Sequence, residues 1–222
     1  MGIETHPSEA PEHAGSGIAT GTAGATAAAT ATGAAALAAL LSRRSVPALQ
    51  LHAPGPTAEQ IDAALEAALH APDHGMLRPW RFVVIRGAAR ERLSQLFVRR
   101  SLERDPAIPP AKLDKARHQP LAAQVVIAVG ARILPEHKVP ELEQLLSTGA
   151  AVMNLLNAFH AQGYGAIWLT GANAYDPQVA AALGFSAEER CLGFVYVGSG
   201  EPPARDSARL AQRGAIAREW TG

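Results

Sequence analysis

Between residues 57 and 72 the apolar positions fall at Ile61, Ala64, Leu65, Ala68 and Leu69, the three- and four-residue spacing of a single helix face. The preceding "TAEQ" has the Thr-x-x-Gln form of a capping box, in which side chains at both positions satisfy backbone N–H groups at a helix start. Pro72 should end this helix, because the residue before a proline is pushed out of the helical region. Upstream, Leu37, Leu40 and Leu41 form a shorter stripe. They predict a helix beginning near Ala34 that delivers Arg43, Arg44 and Ser45 at or just past its end.

Farther along, continuous apolar runs alternate with amphipathic stretches. "RFVVIRG" reads as a buried strand, residues 88–104 as a helix through Leu93, Leu96 and Phe97, and "QVVIAVGARI" as a second strand. Residues 141–162 form a long helix whose Leu, Val, Met and Phe side chains point in more than one direction. Such a helix is buried on two sides, inside its own domain and against something else. After it come "AIWL" as a strand, a helix opened by "DPQ" with Asp176 as cap and Pro177 at its first position, and the strand "CLGFVYVG". The last residues, to Trp220, have little apolar periodicity. Helices and strands interleave without a regular βαβ rhythm, an internal repeat or a Gly-x-Gly-x-x-Gly turn. An α+β fold is expected rather than a Rossmann fold.

Composition divides the 222 residues. Residues 1–33 are Ala, Gly, Thr and Pro with almost nothing large enough to bury, so they read as a low-complexity tail that cannot offset its ordering entropy. Residues 34–222 read as one domain. His6 and His13 fall in the tail, and no metal site is expected. The 20 Lys plus Arg balance the 20 Asp plus Glu, so no global charge draws the chain to nucleic acid or an anionic membrane. No apolar run approaches the roughly 20 residues of a membrane span, and no secretory signal pattern is present. The lone Cys191 opens an apolar strand and reads as a small buried side chain; it excludes a disulfide framework and suits a reducing cytoplasm.

Two stretches carry candidate chemistry. "RRS" places two guanidiniums and a hydroxyl within three residues, a donor set that suits a phosphate, since the arginine fork matches two phosphate oxygens at once. The same residues also serve as a basic last turn that complements the helix dipole. The second is "LHAPDHGMLRPWRFVVI", residues 69–85. Pro72 and Pro79 stiffen this connector, while Asp73, His74, Arg78 and Arg81 bring polar groups to the entrance of a buried strand. A planar, polar-edged cofactor would need such a loop. Taken singly, His70 is also a helix-end histidine and Trp80 a core anchor.

"RRS" at a helix end, "APDHGMLRPWRFVVI", "HKVPELEQ" and "AQGYGAIWLTGA", in this order and at these separations, resemble the nitroreductase family of flavin enzymes, in particular the YdjA-like NAD(P)H nitroreductases of bacteria. The resemblance runs from about Leu37 to Gly200. It implies a nitroreductase-like α+β fold with a central, mainly antiparallel sheet flanked by helices. It also implies a homodimer with an FMN site built from both chains at each end of the interface, and the helix 141–162 at the dimer core.

By similarity Arg43, Arg44 and Ser45 hold the FMN phosphate and ribityl end, and His70 and His74 lie among the cofactor contacts. Trp168, Leu169 and Thr170 pass beside the isoalloxazine ring, where a backbone N–H would reach flavin N5. Ala158, Phe159, His160, Ala161, Gln162 and Gly163 match the segment assigned to the nicotinamide nucleotide, though a buried helix end fits the same residues.

The implied activity is hydride transfer from NAD(P)H to FMN and then electron transfer to a small nitroaromatic or quinone-like acceptor in a ping-pong cycle, with no protein residue acting as acid or base. A flavin-binding sensor with negligible turnover is the alternative, followed by an α+β interaction module without flavin. Three positions depart from the family pattern: Pro47 replaces a basic residue near flavin N1, and Arg78 and Arg81 flank the Pro-Trp pair in place of Gln and His. Either arginine could restore the missing positive charge.

Overall fold

The computed structural model describes residues 21–204 and 213–221, and the chain divides into two compact units, Met1–Leu41 and Ser42–Gly222. The described part of the first unit is the helix α1, Gly21–Ser42, whose last residue opens the second unit. It starts well before Ala34. The stretch 21–33 is therefore helical where the composition suggested a tail. Alanine, which supplies little to bury, is also the strongest intrinsic helix former. Leu37, Leu40 and Leu41 on this helix are each more than half exposed. Residues 1–20, with His6 and His13, lie outside the described residues.

The second unit is built on a four-stranded, wholly antiparallel sheet of order β1-β2-β4-β3, with β1 Trp80–Arg86, β2 Val125–Arg132, β3 Gly165–Leu169 and β4 Glu189–Gly198. α2 (Ala58–Leu69) and α5 (Glu141–Ala161) cover one face, and α3 (Ala89–Arg104) and α4 (Pro110–Ala122) the other. A short α6 (Pro177–Ala182) precedes β4, and a turn of helix, α7 (Arg213–Ile216), follows it.

Both faces being covered explains why β2 is a continuous apolar run. Val125, Ile127 and Val129 enter the core beneath α2 and α5, with Ile61, Ala64, Leu155 and Phe159; Val126 and Ala128 enter the core beneath α3, with Leu93, Phe97, Phe194 and Tyr196. The register of β2 against β4 shifts after Val129, which faces Gly193 while Gly130 faces Cys191. Leu192 is left over as a β-bulge.

Local signals hold where their chemistry is explicit. The Gln60 N–H donates to Thr57 Oγ1 at 3.3 Å and the Thr57 N–H to Gln60 Oε1 at 2.9 Å, completing the capping box of α2. Asp176 caps α6 by accepting from the Gln178 N–H at 2.9 Å. Helix α2 stops at Leu69, with His70 as its C-cap, so Leu69 is turned out and 55% exposed rather than continuing the buried face. The long helix α5 buries Ala151, Val152, Leu155 and Phe159, but Leu142 (65%), Leu146 (62%) and Met153 (39%) on its other side stand exposed.

Candidate functional site

After α1 the chain becomes extended and joins the outer edge of the sheet. Ser45 forms a parallel bridge with Ala166, and the Val46 N–H donates to the Ala166 carbonyl at 3.1 Å. Val46 and Leu51 anchor this edge in the core, and Gly165 makes room for them: a Cβ there would lie 2.9 Å from a Val46 methyl. Arg43 and Arg44 are half-buried and Ser45 is exposed; the Arg44 guanidinium donates to the Arg43 carbonyl at 2.8 Å. The Ser42 hydroxyl lies 2.8 Å from His160 Nε2. Hence the Arg-Arg-Ser segment sits beside the end of α5, next to the stretch 158–163.

That stretch does not face outward as a whole. Phe159 is wholly buried in the core, which leaves it no surface for a ligand. Gln162 caps α5 and donates from Nε2 to the Gln60 carbonyl at 3.1 Å, while Gly163 (φ 86°) takes the left-handed conformation that closes the helix. Ala158 is half-buried. The accessible surface belongs to His160, which is half-buried, and to the exposed Ala161 and Gly163.

Trp168 and Leu169 end β3, and Thr170 follows. The Trp168 indole N–H donates to the Leu192 carbonyl at 3.1 Å, across the bulge of β4. Gly193 permits that approach. Its φ is 125°, and a Cβ would lie 2.5 Å from the Leu169 carbonyl oxygen and 2.8 Å from Trp168 Nε1. Sequence reasoning did not single out Gly193, although a glycine inside a continuous apolar strand run marks a bulge or a close backbone approach. Beyond Thr170 the chain is held by a buried carboxylate: Asp176 is bound by both Arg100 (2.9 Å) and Arg104, and Arg104 also donates to Asn173 at 2.6 Å. Burial would raise the Asp176 pKa, but the two guanidiniums and the Gln178 N–H outweigh it and hold the carboxyl below the usual carboxylate value.

The connector between α2 and β1 is tightly folded. Asp73 Oδ2 accepts from the Arg78 N–H at 2.7 Å, and three residues take positive φ: Gly75 (77°), Met76 (53°) and Arg78 (49°). Left-handed backbone at two non-glycine residues within three positions is strain that the surrounding contacts must hold. Trp80, 8% exposed, is the core anchor. Arg81 does not furnish a spare charge. Its Nε donates to Glu189 at 2.8 Å, and Nη1 donates to the carbonyls of Arg78 and Trp80. Of the two candidate arginines, only Arg78 remains exposed without an ion pair among the described residues.

His74 reaches the start of α5, its Nδ1 lying 2.6 Å from Glu143 Oε2, with both side chains exposed. The Ser42–His160 contact lies 17 residues farther along the same helix, roughly 25 Å at 1.5 Å per residue. α2 runs back beside α5, with Gln60 against Gln162 and Ala67 against Asn154, which puts the exposed His70 between these extremes. One chain therefore brings Arg43, Arg44, Ser45 and His160 together and keeps His74 at the other end of α5. Pro47 is exposed and begins a 3-10 turn at Ala48–Gln50. Cys191 is buried, and burial pushes its thiol pKa up, as befits an inert strand residue. Among the described residues no group of three His, Cys, Asp or Glu could hold a metal ion, and no helix is long and apolar enough to cross a membrane.

An antiparallel sheet wrapped by helices on both faces, with a basic segment added along its edge, defines an α+β protein of the nitroreductase type. The model of the Nitroreductase family matches residues 40–199, and the chain belongs to that family of oxidoreductases. It is 41% identical over 174 residues to YdjA of Escherichia coli (strain K12), provisionally named as an NAD(P)H nitroreductase, covering 77% of this chain and 91% of that one. A nitroreductase-like protein from Bacillus cereus superimposes with a TM-score of 0.69 at 19% identity, covering 84% of this chain and 96% of that one. A protein of the same provisional class from Desulfovibrio desulfuricans, solved in complex with FMN, gives 0.59 at 26% identity over 79% and 94% of the two chains.

Proposed function

We propose that the protein is a homodimeric, FMN-dependent oxidoreductase that accepts hydride from NAD(P)H and passes electrons to a small nitroaromatic or quinone-like acceptor. The carrying observation is the separation along α5. Arg43, Arg44 and Ser45 lie toward one end, and His74 with Glu143 lies at the other. Two copies of α5 packed antiparallel about a two-fold axis near its middle would bring each His74 end to the partner's Arg-Arg-Ser end. The exposed Leu142, Leu146 and Met153 supply an apolar stripe for that packing, and Gly149 between them leaves open space where a side chain would hold the helices apart.

The residues present fit FMN. Two half-buried guanidiniums and a hydroxyl, fixed to the sheet edge by the Ser45–Ala166 bridge, are a phosphate-binding donor set. In this reading Arg43, Arg44 and Ser45 hold the phosphate and ribityl end, residues 168–170 line the ring, and the partner's His70 and His74 complete the polar surround. His160, Ala161 and Gly163 offer the accessible part of the nicotinamide nucleotide surface. When bound, FMN supplies the two-electron exchange. The chain's own groups bind and orient donor and acceptor, which occupy the site in turn, and protons come from solvent. The compartment is the cytoplasm.

Mass spectrometry of the chromophore released from the purified protein, together with light scattering, tests the reading. FMN and a mass about twice the 23.2 kDa of the chain are expected. FAD, or a colourless monomer that FMN does not bind, would overturn it.

A further inference from the structure

A cavity of about 390 Å³ opens on the sheet face opposite α5, between the end of α3, the start of α4 and the loop 169–174. Its floor is aromatic. Phe97 and Phe194 meet edge to face with centroids 5.1 Å apart, and Tyr196 lies beside them; each is at most 3% exposed, so they close the base of the cavity and reach it only by their edges. The space exists because Ala116 on α4 and Gly171 and Ala172 on the loop stand where larger side chains would fill it. Its size is that of a small-molecule site.

The rim is cationic. Lys112 and Lys115, three residues apart on α4, share one side of that helix, and neither has an ion-pair partner among the described residues. Arg104, on the opposite rim, is already bound to Asp176 and Asn173, so it contributes shape rather than free charge. Asp105 is the one carboxylate among the described lining residues, and its Oδ1 is turned to the Ala107 N–H at 3.0 Å. An apolar base below two ammonium groups that have no ion-pair partner among the described residues selects a small ligand with a compact apolar body and a negative end.

We propose that this cavity binds a small carboxylate with a compact apolar body, such as benzoate, the body against the apolar lining beside Ile108, Ala116 and Leu169 and the carboxylate between Lys112 and Lys115. Leu169 and Thr170 form one wall of the cavity. These are the residues assigned above to the flavin ring, so a ligand here would also touch the redox site; that adjacency, and not the binding itself, rests on the proposed function.

Calorimetric titration of the full-length, FMN-loaded protein with benzoate, and in parallel with its neutral counterpart benzamide, tests the site. Benzoate should saturate and bind about tenfold more tightly, the worth of one charge-assisted hydrogen bond. The double variant Lys112→Gln/Lys115→Gln should lose that advantage while binding benzamide as before. Both lysines are exposed, so the fold is not at risk. No saturable heat with benzoate, equal binding of benzamide, or an unchanged double variant would each overturn the proposal while leaving the flavin reading intact. A shift in the flavin's visible absorption on saturation supports both the site and its adjacency. Saturable, lysine-dependent heat without that shift upholds the site and counts against placing the ring on residues 168–170.

Discussion

Gly193→Ala puts a single carbon between β4 and the segment that follows β3. Two costs add. At φ 125° alanine is strained by roughly 1 to 3 kcal/mol wherever it stands. Its Cβ would also lie 2.5 Å from the Leu169 carbonyl oxygen and 2.8 Å from the Trp168 indole nitrogen, where ordinary contact begins near 3.4 Å. The neighbour is backbone, so relief requires Leu169 to move by roughly 1 Å, because contact energy rises steeply inside the van der Waals minimum. Together these cost about 2 to 4 kcal/mol, which lowers the melting temperature by roughly 4 to 16 °C in a domain of this size.

The functional effect is separable. If residues 168–170 line the flavin as proposed, a displacement of about 1 Å there would slow reduction by NAD(P)H up to about 100-fold in the protein that remains folded. Gly87→Ala is the control, since Gly87 also has positive φ (55°) but a Cβ there meets nothing within 4 Å. It should show strain alone, about 1 kcal/mol, and normal flavin reduction. Thermal melts and stopped-flow bleaching of the flavin on both variants decide the matter. If Gly193→Ala melts like Gly87→Ala and is reduced at the wild-type rate, the close approach of β3 and β4 does not position the site.

Other substitutions separate core, interface and site. Trp80→Ala should destabilise by about 3 to 5 kcal/mol in chemical denaturation, because Trp80 is buried in the core beneath α2 and α5. Leu146→Asp, on the exposed side of α5, should give a folded monomer by light scattering; an unchanged dimer would remove α5 from the interface. His74→Ala breaks an exposed pair, so its melting temperature should stay near wild type while the rise produced by excess FMN shrinks; a full rise would make the loop a mere connector. Asp176 has a depressed pKa in the fold, so its contribution is present above the unfolded carboxyl value near 3.9 and is lost as pH falls through the lower folded value. Asp176→Asn should be less stable at neutral pH and lose part of its stability decline in acid, read by urea melts from pH 7 to pH 2.

Signals confined to a few neighbouring residues were legible. The Thr57–Gln60 box and the Asp176–Pro177 start define helix ends by bonds made within four residues, so sequence alone exposes them. The strand around Ile127 was equally plain, since sandwiching between two helical layers leaves no polar alternation. α4 escaped notice. Its "PAKLDKARHQPLA" carries prolines at both ends and few large apolar residues, and it is stabilised by packing on α3 and around the cavity rather than by a strong stripe of its own. In α1 the scarcity of large side chains argues against burial, but intrinsic propensity in an alanine-rich stretch favours the helix without any buried face.

The candidate residues were visible in the sequence, but their surroundings were not. Two arginines and a serine in a row offer a donor set for an anion that needs no distant partner to be seen, whereas the surroundings of His74 depend on Glu143, 69 residues away, and on α5 holding the pair apart from Ser45. Arg81 looked like a free cation only because Glu189, which neutralises it, is 108 residues distant. Gly193 matters through a contact made across a bulge. The double-sided pattern of α5 is the exception that ties these together. It was visible as a helix with too many apolar directions, and in the fold the surplus is a stripe of Leu142, Leu146 and Met153 running between the two halves of the candidate site. A surface of that kind on the element that separates the halves would give the proposed dimer a chemical purpose, since covering the stripe is the same event that would join the histidines of one chain to the arginines of the other.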